Sequence, residues 1–265
     1  MFLPWRQHPL HSVSRSLRLD LLEMINRAPG GHIGGSLSAL DPILSVYESG
    51  LFDFKLNDKF ILSAGHLAPA LYVVLSHEGY FPKDYLYSYA SFSSFLQGHV
   101  SSETPGVFYS SGSLGQGLSY SAGLALGDSG AKIVCLTTDG EQEEGQIWEA
   151  AAFAATYKLG NLINIIDHNK YQLGGATKDI QSVGNLATRY LDLGWQVLEI
   201  NGHSFSSLQK ALKTATNSSD VPTCLVCHTT FASGVSFMEN NYKFHDVKSL
   251  TPIQYRRARG DLMIY

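Results

Sequence analysis

Apolar side chains at Val13, Leu17, Leu21, Met24 and Ile25 recur at the spacing of one helical face, and the run closes on Pro29-Gly30-Gly31. This predicts an amphipathic helix over residues 12–28. Beyond Gly31-His32-Ile33-Gly34-Gly35, the pair Asp41-Pro42 has the chemistry of an N-cap and a first turn, and predicts a second helix from there to about Tyr47. Phe60-Ile61-Leu62 reads as a short strand that ends at Ser63-Ala64-Gly65-His66, with a helix running on through Leu75. Residues 88–108, rich in serine and glycine, read as loop.

From Ser111 the alternation is regular. The small-residue stretch after Ser111-Gly112-Ser113-Leu114-Gly115-Gln116-Gly117 predicts a helix to Leu126, then a strand at 133–137, a helix at about 147–157 and a strand at 162–166. A helix near 186–193, a strand at 195–200, a helix at 205–214 and a strand at 223–227 continue the order. Such alternation predicts an α/β fold with a mostly parallel sheet and helices on both faces, because parallel neighbours need a crossover. No internal repeat or low-complexity linker divides residues 1–265, so a single domain is expected.

The composition narrows the partners. The 265 residues are 44% apolar and 16% charged with a formal net charge of −4, and no lysine- or arginine-rich run suggests nucleic acid. No stretch reaches the roughly 18 uninterrupted apolar residues of a membrane span, and Met1-Phe2-Leu3-Pro4-Trp5-Arg6 lacks a signal-peptide core. Small molecules are the expected ligands, and the cytoplasm the expected location. Three cysteines give no disulfide framework. Cys224-Leu225-Val226-Cys227-His228 matches a haem-attachment spacing, but the run opens on a turn and is β-rich. On a strand, residues three apart face opposite sides, which sets the two sulfurs apart.

The candidate chemistry starts at Asp139. Residues 137–145 read TTDGEQEEG and place four carboxylates at the end of a buried strand. A solvated loop is the ordinary reading of such a run. Ligands of open α/β sheets, however, collect at the carboxyl ends of strands, and Asn169 lies 30 positions beyond Asp139, just past the next strand. If the two strands are neighbours, both residues reach one rim. The rim then offers only oxygen ligands, which suits Mg²⁺ carrying phosphate oxygens, with a diphosphate as the natural anion. The glycine loop at Gly112, Gly115 and Gly117 is neither a P-loop nor a dinucleotide fingerprint. It serves either close helix packing or the approach of backbone to a flat ring. His32, His66 and His99 each follow a glycine outside the predicted elements. One such histidine is ordinarily a surface residue, but these three together suggest imidazoles placed for proton exchange.

Four segments together resemble the N-terminal, diphosphate-binding half of transketolase: residues 62–72 from Leu62-Ser63-Ala64-Gly65-His66 to Tyr72, residues 111–117, residues 139–150, and Gly234-Val235-Ser236-Phe237-Met238-Glu239-Asn240-Asn241. The similarity runs from about residue 14 to 250. It implies that Asp139, Asn169 and the carbonyl of Tyr171 hold Mg²⁺ on thiamine diphosphate, with Gly140 beside them. It also implies that His66 and the backbone of Gly112 and Leu114 touch the cofactor, and that Glu144 is buried at a dimer interface. His32, His66, His99 and His245 would serve catalysis, with His32, His99 and His245 facing a sugar. The implied activity moves a two-carbon ketol unit from a ketose to an aldose.

The chain departs from the family at Thr138, where a glycine precedes the aspartate, at Ala64, where a lysine is common, and across residues 230–234, where lysines are also common. The change at Thr138 keeps the ligand and alters the turn before it, and the missing lysines speak against a standard phosphorylated sugar and fit a specialised pathway. The pyrimidine-binding and C-terminal domains, with the glutamate that activates the cofactor, have no counterpart in the 265 residues. A split transketolase is therefore expected, pairing with a C-terminal subunit in an α₂β₂ assembly and exposing an apolar partner-facing surface. The rival readings are a subunit of another thiamine diphosphate enzyme, of the ketoacid dehydrogenase or deoxyxylulose-phosphate synthase type, and a non-catalytic binding subunit.

Overall fold

The computed structural model of the protein describes residues 8–265. Its strands are β1 (Lys59–Leu62), β2 (Ile133–Thr138), β3 (Leu162–His168), a small hairpin of β4 (Tyr171–Gln172) and β5 (Gly175–Ala176), β6 (Gln196–Asn201) and β7 (Thr223–His228). Its α-helices are α1 (Leu10–Arg27), α2 (Ile33–Tyr47), α3 (Ala68–His77), α4 (Gln116–Gly127), α5 (Gly145–Thr156), α6 (Thr177–Ile180), α7 (Leu186–Asp192), α8 (Phe205–Thr216) and α9 (Pro252–Ile264).

Five strands pair in the order β1-β2-β3-β7-β6, all parallel. Alternation along each strand divides its side chains between two cores. Val134, Leu136, Ile163, Ile165 and Leu225 face α1, α2, α3 and α8, whereas Ile133, Cys135, Leu162, Ile166 and Val226 face α4, α5 and α7. The expected α/β architecture with helices on both faces is thus observed. Cys224 and Cys227 lie in opposite cores, as the period of two requires. Both are buried free thiols, which rules out their joint capture of a haem.

Helix α2 corrects the sequence reading. It begins at Ile33, so Asp41 and Pro42 lie inside it rather than at its start. The Asp41 carboxylate is not free to cap, because it accepts from Arg18 Nη2 and pairs with His203 Nδ1, each at 2.8 Å, and accepts from Ser14 Oγ at 2.5 Å. Burial pushes this carboxyl up, but Arg18 and His203 outweigh it and hold it at about 2. Gly34 and Gly35 weaken a free helix by roughly 1 kcal/mol each relative to alanine. Here they are the residues that fit, since a Cβ on Gly34 would lie 2.0 Å from Cζ of Phe231 and one on Gly35 would lie 2.6 Å from Cδ2 of Leu67. Close packing overrides propensity.

Helix α9 has no counterpart in the pattern reading. It buries only Ala258 and Leu262, too few to make a periodic stripe, although Thr251 and Gln254 close a capping box at its start. Among the described residues no helix is long and apolar enough to cross a membrane.

Candidate cofactor and substrate site

The carboxyl ends of β1, β2 and β3 meet at one rim. Strand β2 pairs with β3 in the register Thr138 with Asp167, so the chain leaves both strands side by side. There the backbone N–H of Lys170 donates to Asp139 Oδ2 at 2.5 Å, and that of Gly140 to Oδ1 at 3.0 Å. The neighbouring-strand condition is met. Burial, and after it the Asp167 carboxylate, push the Asp139 carboxyl well above the usual range, against the pull of these N–H groups.

Asn169 is fixed in one orientation. Its Nδ2 donates to Asp167 Oδ2 at 2.9 Å and to Ser38 Oγ at 3.2 Å, while its Oδ1 accepts from the Tyr171 N–H at 2.9 Å. Asp167 is itself buried and accepts from Ser38 Oγ at 2.6 Å and from the Thr229 hydroxyl. Three donors thus occupy the carboxylate that orients Asn169. Pattern reading gave no signal for Asp167, because it sits within an apolar strand.

Beside this rim lies a cavity of about 220 Å³, lined by His32, His66, His99, His245, Gly112, Leu114, Gly140, Asn169 and Tyr171 among others. The four imidazoles cluster. The ring centre of His32 is 5.2 Å from His66, 5.8 Å from His99 and 5.6 Å from His245, and His66 is 5.4 Å from His245. A bridge between Gly31 and Val247, with N–H···O distances of 2.8 and 3.1 Å, brings His245 to His32. Burial, then His245, holds His66 well below the ordinary imidazole range. Burial also lowers His32, and burial followed by His32 holds His245 at about 4. These three are neutral at physiological pH and able both to donate and to accept. Phe231 completes the wall, its ring parallel to His245 at 6.3 Å and 5.6 Å from Tyr171. A second cavity of about 580 Å³ adjoins the rim and is lined by Asp139, His168, Lys170, Tyr171 and Lys178 among others.

The acidic run divides between interior and solvent. Asp139 and Glu141 are buried, Glu143 is half-buried, and Glu144 is exposed. Glu144 lies just before α5 and lines neither cavity, so this chain by itself does not bury it. Glu141 is the member the sequence reading passed over. Burial raises it to about 7 even though the Gly115 N–H, the Ser63 hydroxyl and the Thr138 N–H pull it down. The two readings of the glycine loop divide by position. Gly115 has φ +82° and no room for a Cβ beside Glu144, and Gly117 has none beside Ser63, whereas Gly112 lines the cavity.

A parallel sheet whose strand ends gather buried carboxylates, an oriented amide oxygen, a glycine loop and a histidine cluster defines an α/β domain built for a polar organic ligand. Residues 10–251 match the family described as transketolase, thiamine diphosphate binding domain, and the chain belongs to it. It is 36% identical over 246 residues to an apulose-4-phosphate transketolase subunit from Phocaeicola vulgatus, covering 88% of this chain and 86% of that one. It is 33% identical over 274 residues to a 6-deoxy-6-sulfo-D-fructose transketolase subunit from Clostridium sp., covering 97% of each. Among solved structures, transketolase from Campylobacter jejuni superposes with a TM-score of 0.85 at 28% identity, covering 99% of this chain and 43% of that one. The chain therefore spans less than half of the solved transketolases and most of the length of the subunit relatives.

Proposed function

We propose that this protein is the thiamine diphosphate-binding subunit of a two-subunit transketolase in the cytoplasm, completed by a pyrimidine-binding and C-terminal subunit in an α₂β₂ assembly. The observation that carries the reading is the meeting of Asp139 and Asn169 at adjacent strand ends, beside a cavity walled by four histidines. The oxygen donors fit Mg²⁺. A buried carboxylate pushed toward its neutral form is one that a divalent cation would return to its charged form, and an amide oxygen and a carbonyl are the hard ligands that this ion takes.

Asp139, Asn169 and the carbonyl of Tyr171 would hold the ion, and His66, Gly112, Leu114 and Gly140 would face the cofactor. Glu144 would be covered by a partner. Thiamine diphosphate, when bound, stabilises negative charge at the carbon being transferred. The chain's own contribution is placement and proton exchange. The neutral rings of His32, His66 and His245 can hydrogen-bond sugar hydroxyls and a carbonyl, and each offers one N–H donor and one unprotonated nitrogen that can take up a proton and later return it. Residues 230–234 lack the lysines common in the family, which supports a specialised ketose or aldose over a standard phosphorylated one.

The partner reading is supported by the relatives' names as subunits and by exposed apolar side chains on the packed pair α4 and α5, where Tyr120, Leu126 and Phe153, with Tyr157 just past α5, face solvent. The test is ketol transfer by the chain alone, by a pyrimidine-binding and C-terminal transketolase subunit from the same source, and by their mixture, across a panel of ketoses and aldoses. Activity confined to the mixture is expected. Full turnover by the chain alone, or none in any arrangement that binds the cofactor, overturns the proposal.

A further inference from the structure

We propose that Glu141 is a positioning residue. In this role it holds the 111–117 loop against the rim and so sets the cavity wall that meets the organic part of the cofactor, independently of the metal end. The proposal rests on the cofactor reading above.

Both carboxylate oxygens of Glu141 are in use. Oε1 accepts from Ser63 Oγ at 2.6 Å and from the Gly115 N–H at 2.8 Å, and Oε2 accepts from the Thr138 N–H at 3.0 Å. Ser63 Oγ in turn accepts from the Gly117 N–H at 3.1 Å. One side chain therefore ties together the exit of β1, the entry to α4 and the exit of β2. Both Glu141 and Ser63 are fully buried. An isolated buried carboxylate is costly, and an acceptor-only group is what three converging donors require.

The loop depends on this acceptor because it has few side chains with which to anchor itself. Gly115 and Gly117 have none, and a Cβ on Gly117 would lie 2.4 Å from Ser63 Cβ. At its start Ser111 Oγ donates to the Leu62 carbonyl at 2.6 Å and the Ser111 N–H to the Val100 carbonyl at 3.2 Å, whereas its far end is fixed by the N–H groups of Gly115 and Gly117, which point at Glu141 and Ser63. A second tie, from Gln146 Nε2 to the Leu114 carbonyl at 2.7 Å, sets the orientation of the segment between. Leu114, which lines the cavity, thus inherits its position from residues outside it, with Glu141 holding the glycine that follows. Asp139 has separate supports in the N–H groups of Gly140 and Lys170. The Thr138 bond to Glu141 is the one tie here that the two ends of the cleft share, so a substitution that spares it separates them.

Calorimetry with Mg²⁺ tests this, using thiamine diphosphate and inorganic pyrophosphate as two ligands on the chain mixed with its pyrimidine-binding subunit. Pyrophosphate engages only the metal end. Glu141→Gln puts a donor amide among three donors, and Ser63→Ala removes the Gly117 tie through Ser63 while leaving the Gly115 and Thr138 bonds to Glu141 in place, keeping the test open if the first variant folds poorly. Each variant is expected to weaken thiamine diphosphate by about 10-fold or more, the scale of one unsatisfied buried group, with pyrophosphate held within about 2-fold. Asp139→Asn is expected to weaken both. Equal losses for the two ligands in Ser63→Ala, or no loss in either variant, overturn the positioning role. Failure of the unsubstituted mixture to bind either ligand overturns the cofactor reading and this proposal with it.

Discussion

The backbone N–H of Lys170 reaches the carboxylate of Asp139 at 2.5 Å across the seam between β2 and β3, joining residues 31 positions apart. This bond places Asp139, the proposed metal ligand, and the turn carrying Asn169 at one point of the rim. Its geometry follows from the parallel pairing alone, since both chains leave the sheet in the same direction.

Replacing Asp139 with asparagine removes the charge while keeping an acceptor for one of the two N–H groups. Mg²⁺-dependent binding of thiamine diphosphate should be lost, with the thermal midpoint unchanged or raised, because a buried carboxylate without a cation destabilises the fold. Calorimetry and thermal unfolding on the same preparation decide it. Normal metal dependence in the variant would remove Asp139 from the ligand set.

His66→Ala and His99→Ala should lower turnover of the complete enzyme by about 10²–10⁴-fold, the usual range for a positioned proton donor or acceptor. His99 is exposed and lies in a loop, so its loss should leave the unfolding midpoint in denaturant nearly unchanged. A loss of stability with the rate retained would assign both rings to packing.

Acid should destabilise the fold through the histidine cluster. His245 titrates at about 4 when folded against 6.5 in the unfolded chain, so the unfolded state binds more protons between these values. Its contribution is complete above pH 6.5 and is lost as the pH falls toward 4; His66 and His32 act in the same direction. Glu141 has the opposite sign, since its folded value near 7 exceeds the unfolded 4.5 and its contribution is lost as pH rises between them. Subtracting the stability profile of His245→Gln from that of the unsubstituted protein isolates the ring. A difference that does not slope between pH 4 and 6.5 would contradict the assignment.

Gly34→Ala should cost about 1–3 kcal/mol through overpacking against Phe231. Since Phe231 lines the cavity, the same substitution should also weaken substrate binding. Pairing it with Phe231→Leu should recover part of the stability, a non-additivity expected of residues in contact. Additive losses in a denaturant series would show that the two positions act apart.

Periodicity and motif order determined the alternation from α4 to β7, the opposite facing of Cys224 and Cys227, and the rim position of Asp139 and Asn169. Each of these follows from local spacing together with the rule that parallel strands expose their ends together. Three of the four histidines are legible as Gly-His pairs and His245 through family resemblance, but their convergence within 5.2–5.8 Å of His32 is tertiary, and that of His245 depends on the bridge from Gly31 to Val247. Tertiary structure alone decided that Asp41 is a buried ion-pair partner inside a helix, that Glu141 rather than Glu144 is enclosed by this chain, and that Asp167 orients Asn169. The reason is the same in each case. A buried polar group is placed by the partners that satisfy it, and those partners lie far away in sequence: Arg18 donates to the Ser233 carbonyl across 215 positions, and Ser38 to Asp167 across 129.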